Sequence, residues 1–73
     1  MVTICVYRKD DGKPVQGAKV SAYWSDFGAY SAEGITDKAG EAHLDVKPRQ
    51  MKVLVNNREV LNGEVSGRKV VYI

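Results

Sequence analysis

The sequence predicts an all-β domain, a sandwich or small barrel of about seven short strands. Three observations carry this. Apolar residues alternate with polar ones along most of the chain, and no stretch sustains the three-and-four spacing of a helix. Gly, Pro, Asn or Asp interrupts every candidate helix and returns about every 8–12 residues as a turn signal. Two stretches, Gly12 to Val20 and Thr36 to Ala42, each join a turn to an alternating strand.

The first strand is Val2-Thr3-Ile4-Cys5-Val6-Tyr7, with Val2, Ile4 and Val6 on one face and Cys5 out of phase with them. Asp10-Asp11-Gly12 supplies a turn, because Gly accepts positive φ without a steric penalty. Pro14 has no N–H to donate and belongs to the connection or to a sheet edge. Val15 is the apolar residue of this loop and plugs one end of the core.

In the second strand Ala18, Val20, Ala22 and Trp24 share one face, and Lys19, Ser21, Tyr23 and Ser25 the other. The small Ala18 and Ala22 leave room for larger residues across the core. Ser25 to Gly28 reads as a loop and residues 29–36 as a strand weakened by Glu33-Gly34. Asp37-Lys38-Ala39-Gly40 fits a four-residue turn, with an Asp that accepts from downstream N–H groups and a Gly at its end.

Ala42, Leu44 and Val46 then point inward, while Glu41, His43 and Asp45 point out. Pro48-Arg49 turns the chain into a strand whose inward residues are Met51, Val53 and Val55. Asn56-Asn57 is a two-residue hairpin turn, since Asn tolerates the left-handed region. The next strand starts at Arg58 and carries a bulge or kink at Gly63. Ser66-Gly67 turns the chain into the last strand, Arg68 to Ile73.

One domain spanning residues 1–73 is all this length provides. A chain so short buries only about 60% of its unfolded surface, so it gains from a staple or a partner. Cys5 is the single cysteine, which excludes an internal disulfide, and one His leaves no zinc framework. The expected support is therefore a protein partner, a neighbouring domain or a second copy in a homo-oligomer. Eleven Lys and Arg against nine Asp and Glu give a net charge of +2 with the signs interspersed, which is a solvated surface and no nucleic-acid stripe. No apolar run approaches the ~20 residues of a membrane span, and residues 1–7 lack the basic start and the apolar stretch of a signal peptide. A cytoplasmic chain is expected unless a signal has been trimmed.

The stretch Asp11-Gly12-Lys13-Pro14-Val15-Gln16-Gly17-Ala18-Lys19-Val20 resembles the opening of carboxypeptidase regulatory-like domains, the prealbumin-like (transthyretin-like) sandwiches. Thr36-Asp37-Lys38-Ala39-Gly40-Glu41-Ala42-His43-Leu44 resembles the second motif of that family. The resemblance implies a seven-stranded Greek-key, Ig-like β-sandwich, used as an accessory or interaction module. Fold alone does not confer activity. The reactive residues of three related groups are also missing. Collagen-adhesin repeats with an isopeptide bond need a Lys in the first strand, where this chain has Ile4, Cys5 and Val6. The transthyretin-like hydrolases of purine breakdown use several His and Arg and a Tyr-Arg-Gly-Ser end, whereas this chain has only His43 and ends Val70-Val71-Tyr72-Ile73. Intradiol dioxygenases hold iron with two Tyr and two His, one His more than this chain contains.

The sequence therefore predicts no catalytic residues, no cofactor and no metal ligands. His43 lies on an outward face with no oriented partner in view, and Cys5 lacks a nearby base. Asp10, Asp11, Asp26 and Asp37 are turn formers without calcium-loop spacing. Two surfaces stand out. The segment 23–30 holds four of the six aromatics, and Tyr23, Phe27 and Tyr30 are candidate contacts for a protein partner or a sugar. The last strand is apolar on both faces, so Val71, Tyr72 and Ile73 are candidates for an edge-strand interface. The expected function is a non-enzymatic module for protein contacts or self-association. A carbohydrate-binding module using the aromatic loop is the alternative, and a small transthyretin-like hydrolase a more remote one.

Overall fold

The computed structural model describes every residue except Asp26 and Phe27. Seven strands follow in order: β1 (Val2–Tyr7), β2 (Lys19–Ser25), β3 (Ala29–Ile35), β4 (Glu41–Leu44), β5 (Arg49–Val55), β6 (Arg58–Val65) and β7 (Arg68–Tyr72). They form a three-stranded sheet, β4-β1-β7, and a four-stranded sheet, β3-β2-β5-β6. All pairings between these strands are antiparallel except β1 with β7.

The two sheets share one core. Val2, Ile4, Val6 and Leu44 come from the first, and Val20, Ala22, Val53, Val55 and Val65 from the second; all are buried. All of these except Val65, for which the sequence offered no phase, lie on the face predicted by alternation, because one sheet face must leave water and the other need not. Ala18 and Ala22 line the core as its small residues, and Val15 packs against its rim.

The two motifs form a single structural unit. Gly17 N–H donates to the Thr36 carbonyl, Thr36 N–H donates to the Ala18 carbonyl, and Ala18 N–H donates to the buried Thr36 Oγ1 at 2.8 Å. Pro14 bridges to Tyr7, and a Cβ on Gly40 would lie 2.9 Å from Pro14 Cβ. The Asp37 turn closes as expected: Gly40 N–H donates to the Asp37 carbonyl, and Asp37 Oδ1 accepts from the N–H groups of Ala39 and Glu41.

Asn56 and Asn57, with φ of 50° and 68°, turn β5 into β6. Asn56 also caps β2: its N–H donates to the Lys19 carbonyl, and its Oδ1 accepts from Lys19 N–H. The expected irregularity at Gly63 lies elsewhere. Gly63 stays in register opposite Met51, and the shift falls where Val53 pairs with Leu61 but Leu54 with Glu59. Val60 is the extra residue. Inserting it changes the phase of β6, so that the successive Val60 and Leu61 both pack against the core. Gly34, which weakened the prediction of β3, answers to packing: a Cβ there would meet Leu44 Cδ2 at 3.2 Å, where β3 crosses β4.

No helix is long and apolar enough to cross a membrane among the described residues.

Candidate functional site

β7 forms one edge of its sheet, and β6 forms an edge of the other. Backbone alternation decides which groups of β7 are free. Ile73 N–H donates to the Tyr7 carbonyl, the Ile73 carbonyl accepts from Lys9 N–H, and the Gly67 carbonyl accepts from Thr3 N–H. Gly67, Lys69, Val71 and Ile73 therefore turn their polar backbone toward β1. Arg68, Val70 and Tyr72 turn theirs outward, where no strand is paired with them among the described residues.

The side chains alternate on the same period. Val71 is only 5% exposed and packs into the core, reaching the surface only where it lines the groove beside β6. Val70 is 47% exposed, Tyr72 56% and Ile73 40%. In a run of four apolar residues the pattern does not say which parity faces inward, and Val70 was therefore missed. The pairing of β7 with β1 settles it. Between the β6 and β7 edges lies a groove of about 530 Å³, walled by Val60, Leu61, Val70, Tyr72 and Ile73, with Lys9 and Glu59 at its lining.

The outer face of the same sheet carries a polar clasp. Arg68 is in register with Thr3, and Glu41 with Cys5. The guanidinium of Arg68 binds Glu41 Oε2, so its side chain crosses β1 and leaves the free edge. Cys5 beneath is fully buried although it points away from the core. Burial pushes its thiol pKa up despite the nearby guanidinium. A raised pKa keeps sulfur protonated and a poor nucleophile. Tyr7 and Tyr72 continue this face, their ring centroids 6.1 Å apart.

His43 also stands on this face. Its Nδ1 is 3.0 Å from Thr3 Oγ1, and its Nε2 lies 3.7 Å from Glu41 Oε1 and 4.0 Å from Asp37 Oδ2. The three ligand atoms of Asp37, Glu41 and His43 fall within 4.8 Å of one another. Glu41 is already occupied by Arg68, and His43 and Asp37 are half exposed. A cation here would compete with a guanidinium and with water.

The aromatic segment divides. Trp24 is partly buried against the core and stacks on Tyr30, with centroids 6.0 Å apart and planes 15° from parallel. The Arg49 guanidinium lies 5.1 Å over the Trp24 ring, and the buried Arg49 Nε has no hydrogen-bond partner among the described residues. Tyr23 pairs in register with Ser31 and Lys52, Tyr30 with Trp24. Tyr23 and Tyr30 therefore start from opposite faces of the sheet, yet both line one hollow of about 500 Å³ with Trp24, Lys52 and Leu54. Phe27 lies outside the described residues.

No family model, curated protein or solved structure matches the chain.

Proposed function

We propose that this chain is a non-enzymatic interaction module, a Greek-key sandwich of the carboxypeptidase regulatory-like type, whose β7 edge receives an extended segment of a protein partner. The observation that carries the proposal is the β7 edge itself. Arg68, Val70 and Tyr72 offer backbone donors and acceptors that no strand pairs among the described residues, and the side chains of Val70 and Tyr72 are exposed. Added strands gain affinity from main-chain hydrogen bonds and specificity from alternate side chains. The groove beside Ile73 would take one of those side chains.

Panning a library of random extended peptides tests this. Peptides retained by the wild type and lost on Val70→Pro support strand addition, because Val70 N–H points outward and β1 does not use it. Peptides that bind both proteins equally place the contact elsewhere.

A second reading rests on the Trp24–Tyr30 stack and its hollow, which offer an aromatic wall to a sugar ring. Titration with soluble glycans, followed by Trp24 fluorescence, would show saturable quenching that Tyr30→Ala removes. A flat titration would dismiss it.

A further inference from the structure

We infer that the partner strand is β7 of a second copy, paired antiparallel about a two-fold axis through Val70. This rests on the strand-addition reading above and names its occupant.

The edge is open because its guard is turned away. Natural sheets protect edges with charges, prolines, bulges or short strands. The β4 edge has only four residues and carries Glu41 and His43; the β6 edge has its bulge at Val60 and carries Arg58, Glu59 and Glu64. β7 has five residues and neither Pro nor a register shift in its pairing. The guanidinium of Arg68 is drawn across β1 to Glu41. Only Lys69 remains as a charge within the strand, and its backbone faces β1.

The edge also complements itself. Outward-facing backbone occurs at Arg68, Val70 and Tyr72. With Val70 opposite Val70 of the second copy, Arg68 faces Tyr72 and Tyr72 faces Arg68. Three pairs with two hydrogen bonds each give six bonds. Lys69 then stands opposite Val71. Sliding β7 one way sets Lys69 against Lys69 and loses a pair; sliding it the other way also loses a pair. Like charges directly opposite are destabilising, so the Val70-centred register is preferred. The product is a continuous sheet in the order β4-β1-β7-β7-β1-β4.

Sedimentation equilibrium on the whole chain tests the pairing. The wild type should dimerise with rising concentration. Val70→Pro should stay monomeric, with the circular dichroism and thermal midpoint of the wild-type monomer. A disulfide trap reads the register. Opposed residues of a hydrogen-bonded pair have Cα atoms about 5.5 Å apart, within disulfide range. Val70→Cys should therefore give a covalent dimer under mild oxidation. Tyr72→Cys should not, because the two copies of residue 72 are offset by four residues, roughly 13 Å along the strand. Cys5 is buried and stays out of the exchange.

A wild type that remains monomeric at every concentration reached overturns the inference. So does a dimer that Val70→Pro leaves intact, or one that Tyr72→Cys traps as readily as Val70→Cys. A monomer whose edge still selects peptides in the panning experiment rejects self-pairing and keeps strand addition. A monomer that selects none rejects both.

Discussion

Replacing Gly40 by Ala should destabilise this domain far more than the same change at Gly12, and the difference measures the contact between the two motifs. Both glycines have positive φ, +78° at Gly40 and +70° at Gly12. An L-residue in that region costs about 1–2 kcal/mol. Ala also reduces the freedom of the unfolded chain, an effect common to both variants that cancels in their difference. At Gly12 a Cβ would meet nothing within 4 Å. At Gly40 it would lie 2.6 Å from the Val6 carbonyl oxygen, 2.9 Å from Pro14 Cβ and 3.2 Å from Pro14 Cα. None of these atoms is the free end of a flexible chain. The Val6 carbonyl accepts from Val15 N–H, and Val6 N–H donates to the Gly40 carbonyl. The clash must therefore be relieved by moving backbone, at the cost of overpacking, about 1–3 kcal/mol. Gly12→Ala should lose about 1–2 kcal/mol and Gly40→Ala about 2–5 kcal/mol. A domain of this length holds roughly 4–11 kcal/mol in total, so the second loss is a large fraction. Urea unfolding of both variants would report it as a lower midpoint with unchanged slope. Equal losses at the two positions would refute the close approach of Gly40 to β1 and Pro14.

Thr36→Val should cost about 1–3 kcal/mol in the same assay, since it strands the buried Ala18 N–H that Thr36 Oγ1 accepts at 2.8 Å; a neutral change would mean that water or another group satisfies that donor. Cys5 should resist alkylation in the native state and react at the free-thiol rate in denaturant, because burial both shields the sulfur and raises its pKa; fast native labelling would show the Arg68–Glu41 clasp to be open. Asp37 has its pKa lowered, first by the Glu41 N–H that its carboxylate accepts and further by the Ala39 N–H and the charge of His43. Its contribution is present above the unfolded-state pKa of about 4 and is lost as pH falls through the lower folded value, so Asp37→Asn should flatten the decline in stability below about pH 4; an unchanged acid limb would place the titrating group elsewhere.

Much of the core was legible because strand alternation has a period of two and this chain keeps it. Val2, Ile4 and Val6 could be assigned to the core before any partner strand was known, as could Ala42, Leu44, Met51, Val53 and Val55. Turns were equally readable at Asp37–Gly40 and Asn56-Asn57, where the residue types themselves permit the required backbone. The candidate edge was legible only in part. Val70-Val71-Tyr72-Ile73 announced a strand with two apolar faces, but a continuous apolar run hides its own phase, and Val71 lies in the core while Val70 is exposed. The bulge at Val60 was hidden in the same way, since Gly63 looked like the natural place for an irregularity and the packing of Val60 with Leu61 decided otherwise.

The strands, the turns and most of the inward faces follow from residue type and order, because these depend on φ, ψ and spacing within a few residues. Contacts between distant segments arise only when the strands pair and the two sheets pack together. Thr36 seals Ala18, Gly40 admits Pro14, and Arg68 crosses β1 to cover Cys5. That last contact removes the charge that would guard β7. No local pattern near Arg68 records it, since the residue it reaches is 27 positions away.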